Sequence, residues 1–193
     1  MSTKQISSSL AALTAAGARW FQIAYAVNDL AEAQSFFQAT LGVSRFFVIE
    51  DIQFRDYIYR GQAAFCRQNV AFGYAGPLQI ELMQPLEGEN SLTAFLRQRG
   101  PGVHHLGLEV DDLEQVLRAL LNQRGPGTEG RESQGVSREP ESSPLTIVES
   151  GIAGQGTRFA FLDTLASSGT YLELVALDEE NRALFERIRR GDF

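Results

Sequence analysis

From Trp20 to Val27 the chain alternates in character. Phe21, Ile23, Tyr25 and Val27 fall on one side and Gln22, Ala24 and Ala26 on the other, the two-residue period of a strand. Asn28 and Asp29 then offer an N-cap. Ala33, Phe36, Phe37 and the Thr40-Leu41 pair recur at helical spacing, which predicts a helix from Leu30 to Leu41 that ends at Gly42. Further strands are predicted over Ser44 to Ile52, Ala63 to Tyr74 and Leu78 to Met83, punctuated by Gly61 and Gly76-Pro77. The order then returns: a strand from Val103 to Val110, a helix from Leu113 to about Leu121, and strands over Leu145 to Val148, Arg158 to Leu162 and Tyr171 to Val175. Gly125 to Pro144, rich in Gly, Ser, Glu and Pro, is predicted as a long loop near the site, and a charged helix from about Asp178 to Arg190 closes the chain.

Strand, helix, strand, strand, strand thus occurs twice, and the α+β pattern has a residue-level echo. Gln22-Ile23-Ala24-Tyr25-Ala26-Val27-Asn28-Asp29-Leu30 aligns without a gap on His105-Leu106-Gly107-Leu108-Glu109-Val110-Asp111-Asp112-Leu113. Downstream, Gln79-Ile80-Glu81-Leu82 matches Tyr171-Leu172-Glu173-Leu174. The chain therefore divides into an N-terminal arm (1–18), a first module (19–86), a second module (100–177) with its loop at about 124–144, and a C-terminal helix (178–193). In each module the crossover helix covers one sheet face and leaves the other open. Alternation sends Gln22, Ala24, His105, Gly107, Glu81 and Glu173 to that open face. Gln22, Glu81, His105 and Glu173 are metal-ligand types at matched positions, and small Ala and Gly beside two of them leave room for a ligand.

Composition narrows the function classes. A chain of 193 residues, 44% hydrophobic and 21% charged, is an ordinary globular protein in make-up. A net charge of -7, with basic residues clustered only at Arg187, Arg189 and Arg190, argues against nucleic acid as a partner. Cys66 is the sole cysteine, so no internal disulfide forms and a cytoplasmic setting is the default expectation. No stretch approaches the ~20 continuous apolar residues of a spanning helix, so no membrane is expected.

The paired [His/Gln]-x-x-x-x-Val-x-Asp-Leu and hydrophobic-Glu-Leu patterns, over about residues 20 to 177, resemble the vicinal oxygen chelate superfamily. That group contains glyoxalase I, methylmalonyl-CoA epimerase, extradiol dioxygenases and bleomycin-resistance proteins. The resemblance implies two tandem βαβββ modules forming a curved, cleft-lining mixed sheet around one divalent metal ion held by Gln22, Glu81, His105 and Glu173. Two carboxylates, an amide oxygen and an imidazole suit Zn, Ni, Co, Mn or Fe(II). Such an ion polarises a carbonyl and stabilises the enediolate left when a neighbouring C–H proton is removed. In the glyoxalase and epimerase branches the base is a glutamate of this kind, so Glu173 is the first candidate and Glu81 its partner across the substrate.

The implied activity is that of a metal-dependent lyase or isomerase acting on a small carbonyl compound or thioester. A non-catalytic binding or resistance protein of the same fold is the alternative, and a non-haem iron dioxygenase a third. Oxygen activation wants two histidines and one carboxylate. The only histidines, His104 and His105, are expected on opposite strand faces, with His104 structural beside Leu106, Leu108 and Val110. No glutathione or coenzyme A clamp is recognisable, and the cleft is either assembled within one chain or shared in a homodimer.

Overall fold

The computed structural model describes residues 17–121 and 145–193. The predicted arm, apart from Gly17 and Ala18, and the loop from Gly125 to Pro144 lie outside them. The first half runs β1 (Arg19–Ala26), α1 (Leu30–Leu41), β2 (Phe47–Gln53), β3 (Arg55–Tyr59), β4 (Gln62–Ala63), β5 (Cys66–Ala75) and β6 (Leu78–Gly88). After α2 (Ser91–Arg99) follow β7 (Gly102–Glu109), α3 (Leu113–Leu121), β8 (Ile147–Ala153), β9 (Thr157–Leu162), α4 (Leu165–Ser168), β10 (Tyr171–Ala176) and α5 (Glu179–Arg190). The caps explain the helix limits. Asp29 accepts the Glu32 N–H at 2.8 Å, Asp112 accepts the Gln115 N–H at 2.9 Å, and Gly42 closes α1 in the left-handed conformation that glycine adopts without strain.

All ten strands join one mixed sheet in the order β2-β5-β6-β1-β7-β10-β9-β8-β3-β4. β2 and β3 are separated in the chain by Phe54 alone yet stand at opposite ends of that order. The sheet therefore curls until its two ends nearly meet. Arg55 of β3 ties that end of the sheet to the β8–β9 turn by donating to the carbonyl oxygens of Gly154, at 3.3 Å, and Gln155, at 2.6 Å. β3 and β4 form a hairpin turned at Arg60 and Gly61, both with positive φ, and β3 also joins β8, a partner distant in the chain, so β3 as a sheet strand was not predicted.

The convex side carries two separate cores. Leu30 and Phe37 of α1 pack with Val27, Val43, Phe46, Ala71, Ile80 and Leu82, and Leu113 and Val116 of α3 pack with Leu108, Val110, Ala160, Leu162 and Leu174. Burial of each such side chain is worth roughly 1.5–3 kcal/mol. The concave side is not left open as the pattern predicted. α2 and α5 lie against it, through Leu92 and Phe95 and through Leu184, Phe185 and Ile188, and Arg182 pairs with the buried carboxylate of Glu109. Arg19 reaches the same carboxylate at 3.2 Å. Among the described residues no helix is long and apolar enough to cross a membrane.

Candidate functional site

The four central strands, in the order β6, β1, β7, β10, set neighbouring residues in rows. One row reads Glu81, Ala24, His105, Tyr171 and the next Gln79, Gln22, Gly107, Glu173. Each of the four predicted ligands thus comes from a different central strand. The small residues between them are there for space. Ala24 separates Glu81 from His105, and a Cβ on Gly107 would stand 2.8 Å from Gln22 Oε1 and 2.9 Å from Gln22 Cβ. The room that Gly107 leaves is therefore filled by Gln22 itself rather than by a ligand.

The side chains meet at the imidazole. His105 Nε2 lies 3.2 Å from Gln22 Oε1, 3.4 Å from Glu173 Oε2 and 3.5 Å from Glu81 Oε2. Gln22 is oriented by donating its Nε2 to Gln79 Oε1 at 2.7 Å, and Gln79 in turn donates to the Tyr74 hydroxyl at 2.9 Å. Donors bound to one transition metal at 2.0–2.3 Å stand roughly 2.8–3.5 Å from one another, so the donor set fits such an ion in chemistry and spacing about the imidazole. Among the described residues, however, no three His, Cys, Asp or Glu side chains form a ready metal cluster. A bound ion would have to draw the carboxylates inward.

Charge is expensive at this depth. Burial pushes the Glu81 carboxyl above its ordinary range; His105 pulls it back and Glu173 adds to the rise. Burial disfavours the charged form of His105, but the carboxylates of Glu173, Glu81 and Glu149 outweigh it and hold the imidazole above its usual value.

His104 departs from the expectation. Ala24 pairs with His105 and Tyr25 with Val103, so His104 is the extra residue of a β-bulge. A bulge re-aims side chains, and both histidines line the concave cleft instead of pointing to opposite faces. His104 stacks near Phe95, Phe161 and Tyr171 rather than near Leu108 and Val110, and its Nδ1 is 3.0 Å from His105 Nδ1. One ring must donate and the other accept, which fixes the orientation of His105. Burial and the neighbouring imidazole push His104 well below the ordinary histidine value.

Glu149 escaped the sequence reading, because β8 was expected to end at Val148. It is buried, accepts the Ser91 N–H at the start of α2 at 2.9 Å, and lines the same cleft. Burial pushes its carboxyl upward, with Ser91 partly offsetting the rise. The β8–β9 register shifts between Ile147 and Glu149, so Ile147 packs on the convex core while Val148 and Glu149 both face the concave side, and strict alternation would have put Glu149 on the wrong face. Nearby, the Tyr57 hydroxyl, Asn90 Nδ2 and His104 Nε2 are buried without hydrogen-bond partners among the described residues. The cleft holds about 350 Å³ and is walled mainly by phenylalanine and aliphatic side chains.

Comparison with known proteins gives this arrangement its relatives. The family model described as Glyoxalase/Bleomycin resistance protein/Dioxygenase superfamily matches residues 21–137. The uncharacterized protein YqjC of Bacillus subtilis (strain 168) is 27% identical over 96 residues, 50% of this chain and 60% of that protein. The mitochondrial methylmalonyl-CoA epimerase of Bos taurus is 29% identical over 119 residues, 58% of this chain and 61% of that enzyme. The chain thus spans about six tenths of the length of these curated relatives. Among solved structures, hypothetical protein BH1468 from Bacillus halodurans C-125 superposes with a TM-score of 0.54 at 19% identity, covering 84% of this chain and 96% of that one. Methylmalonyl-CoA epimerase from Mycobacterium tuberculosis gives 0.53 at 22% identity, covering 85% and 91%. At these identities the structural likeness concerns the fold.

Proposed function

Because this chain belongs to the Glyoxalase/Bleomycin resistance protein/Dioxygenase superfamily, we propose that it is a metal-dependent lyase or isomerase of the glyoxalase or epimerase type. The observation that carries the reading is the meeting of Gln22, Glu81 and Glu173 within 3.5 Å of His105 Nε2 on the concave floor of the sheet. A divalent ion held by these four residues would supply Lewis acidity toward a substrate carbonyl. Glu173 takes the proton from the carbon beside that carbonyl; the C–H pair becomes the new C=C bond and the carbonyl π pair moves onto oxygen, leaving an enolate, or an enediolate where that carbon already carries an oxygen. Glu81, across the floor, returns a proton to carbon. Glu81 returns it after leaving the ion to take up a proton, and burial, which disfavours its charged form, supports that role. His104 holds the His105 ring, and the apolar walls keep bulk water from the enediolate.

The test is exchange of a substrate C–H proton with D₂O, followed by NMR on the metal-loaded chain, across 2-oxoaldehyde adducts and 2-substituted acyl thioesters. Exchange that disappears in Glu173→Gln is expected. Binding of such compounds to metal-loaded protein without any exchange would transfer the function to the second reading, a small-molecule binding protein, which the apolar walls of the cleft favour.

A further inference from the structure

The cleft is uniform in one respect: no lysine or arginine is among the described residues that line it. Its charged groups are carboxylates. Glu81 and Glu173 belong to the floor, Glu149 is buried beside it, Glu50 is near the mouth, and Asp51 is ion-paired with Arg67. Away from the floor, an anionic group would meet like charge and find no lysine or arginine among the described lining residues to pair with, a costly arrangement at low dielectric. A volume of about 350 Å³ equals roughly a dozen liquid waters at about 30 Å³ each, the size of a small compact molecule.

Rings are its second feature. Phe54, Phe159, Phe161 and His105 form a continuous file from the seam between β2 and β3 down to the floor. Successive centroids are 5.1, 5.7 and 4.7 Å apart, in tilted or edge-to-face pairs. Another wall is Phe72 with Phe185 of α5, centroids 5.0 Å apart. The spacings are those at which aromatic rings attract one another, so a flat ring placed against the file gains edge and face contacts that an alkyl chain does not.

We propose that the cleft takes a compact, uncharged carbonyl compound bearing an aromatic ring, its oxygens at the Gln22, Glu81, His105 and Glu173 floor and its ring against Phe159 and Phe161. The placement of the oxygens rests on the function proposed above; the placement of the ring does not. Acyl thioesters carrying a long polyanionic arm are poor ligands on this account.

The test is isothermal titration calorimetry on the full zinc-loaded chain with four probes: 2-hydroxyacetophenone, its 4-carboxy derivative, ringless hydroxyacetone, and methylmalonyl-CoA. 2-Hydroxyacetophenone is expected to bind about tenfold or more tightly than hydroxyacetone, the gain from burying one phenyl group, and more tightly than either anionic probe. Phe159→Leu, which keeps an apolar wall but removes a ring, should shrink the preference over hydroxyacetone several-fold. Equal or tighter binding of hydroxyacetone, the 4-carboxy derivative or methylmalonyl-CoA overturns the inference. Parallel proton exchange in D₂O separates the two claims. Exchange on hydroxyacetone with no ring preference overturns the ring site and leaves the chemistry standing; ring-selective binding without exchange supports the ring site and removes the chemistry.

Discussion

Gly107→Ala is a small change with a calculable consequence. The added Cβ would lie 2.8 Å from Gln22 Oε1, 2.9 Å from Gln22 Cβ and 3.1 Å from the Phe21 ring. Gln22 has little freedom to yield, because its Nε2 is tied to Gln79, which is tied to Tyr74. Overpacking of a tight site costs about 1–3 kcal/mol. If the shift also breaks the buried Gln22–Gln79 bond, about 1 kcal/mol more is lost. With a urea slope of about 2 kcal/mol/M, a loss near 2 kcal/mol moves the unfolding midpoint down by about 1 M. Gly102→Ala is the control on the same strand, since a Cβ there meets nothing within 4 Å, and its effect should stay within about 0.5 kcal/mol. Urea titration followed by circular dichroism reads both. Zinc titration should show weaker binding in Gly107→Ala alone, because Gln22 Oε1 is driven away from His105. Equal midpoints and equal zinc affinities for the two variants would refute the claim that Gly107 makes room for Gln22.

Three further outcomes are expected. Glu173→Gln keeps an oxygen donor but not a base, so the rate of substrate proton exchange should fall about 10²- to 10⁴-fold with zinc retained. His104→Ala should keep one zinc per chain by elemental analysis while weakening its affinity about 10- to 100-fold, as loss of an orienting partner does; loss of all zinc from a folded variant would make His104 itself a ligand. Asp178 caps α5. Burial works against its charge, but hydrogen bonds from the N–H groups of Asn181 and Gly156 outweigh this and lower its pKa in the folded state. Its stabilising effect is therefore present above the unfolded value of about 4 and is lost as pH falls through the lower folded value. Asp178→Ala should cost about 1 kcal/mol at neutral pH, and the gap from wild type should close below pH ~4 in thermal melts.

What the sequence made legible depended on how local each signal was. α1 could be read to both ends because Asp29, the apolar spacing and Gly42 are contiguous, and β10 because its alternation survives near the site; β1 and β7 read as strands although bulges turn Phe21 and His104 to the cleft side. α2 was missed although its Asn90–Thr93 capping box and its apolar residues Leu92, Phe95 and Leu96 were in plain view. β6 continues past Met83 to Gly88, through Pro85, which was a reason to stop it there. Pro85 is tolerated because the β5–β6 register shifts between Arg67 and Gln68. The bulge at His104 is a property of two strands compared, and strict alternation in one strand is blind to it. For the same reason the pairing of β3 with β8, and the closure of the concave face by α5, could not be read before the sheet was seen to curl. The four floor residues were singled out because the matched motifs name them; Glu149 has no counterpart in those motifs, and only the register of β8 brings it in.

The central claim is that Gln22, Glu81, His105 and Glu173 together hold one divalent ion. X-ray absorption at the zinc edge of the zinc-loaded full chain tests it most directly. The account predicts one zinc per chain with a single imidazole nitrogen and otherwise oxygen neighbours at about 2.0–2.2 Å, a signature that loses its imidazole component in His105→Ala. Two imidazoles, a sulfur neighbour from Cys66, or an unchanged spectrum in His105→Ala would contradict it.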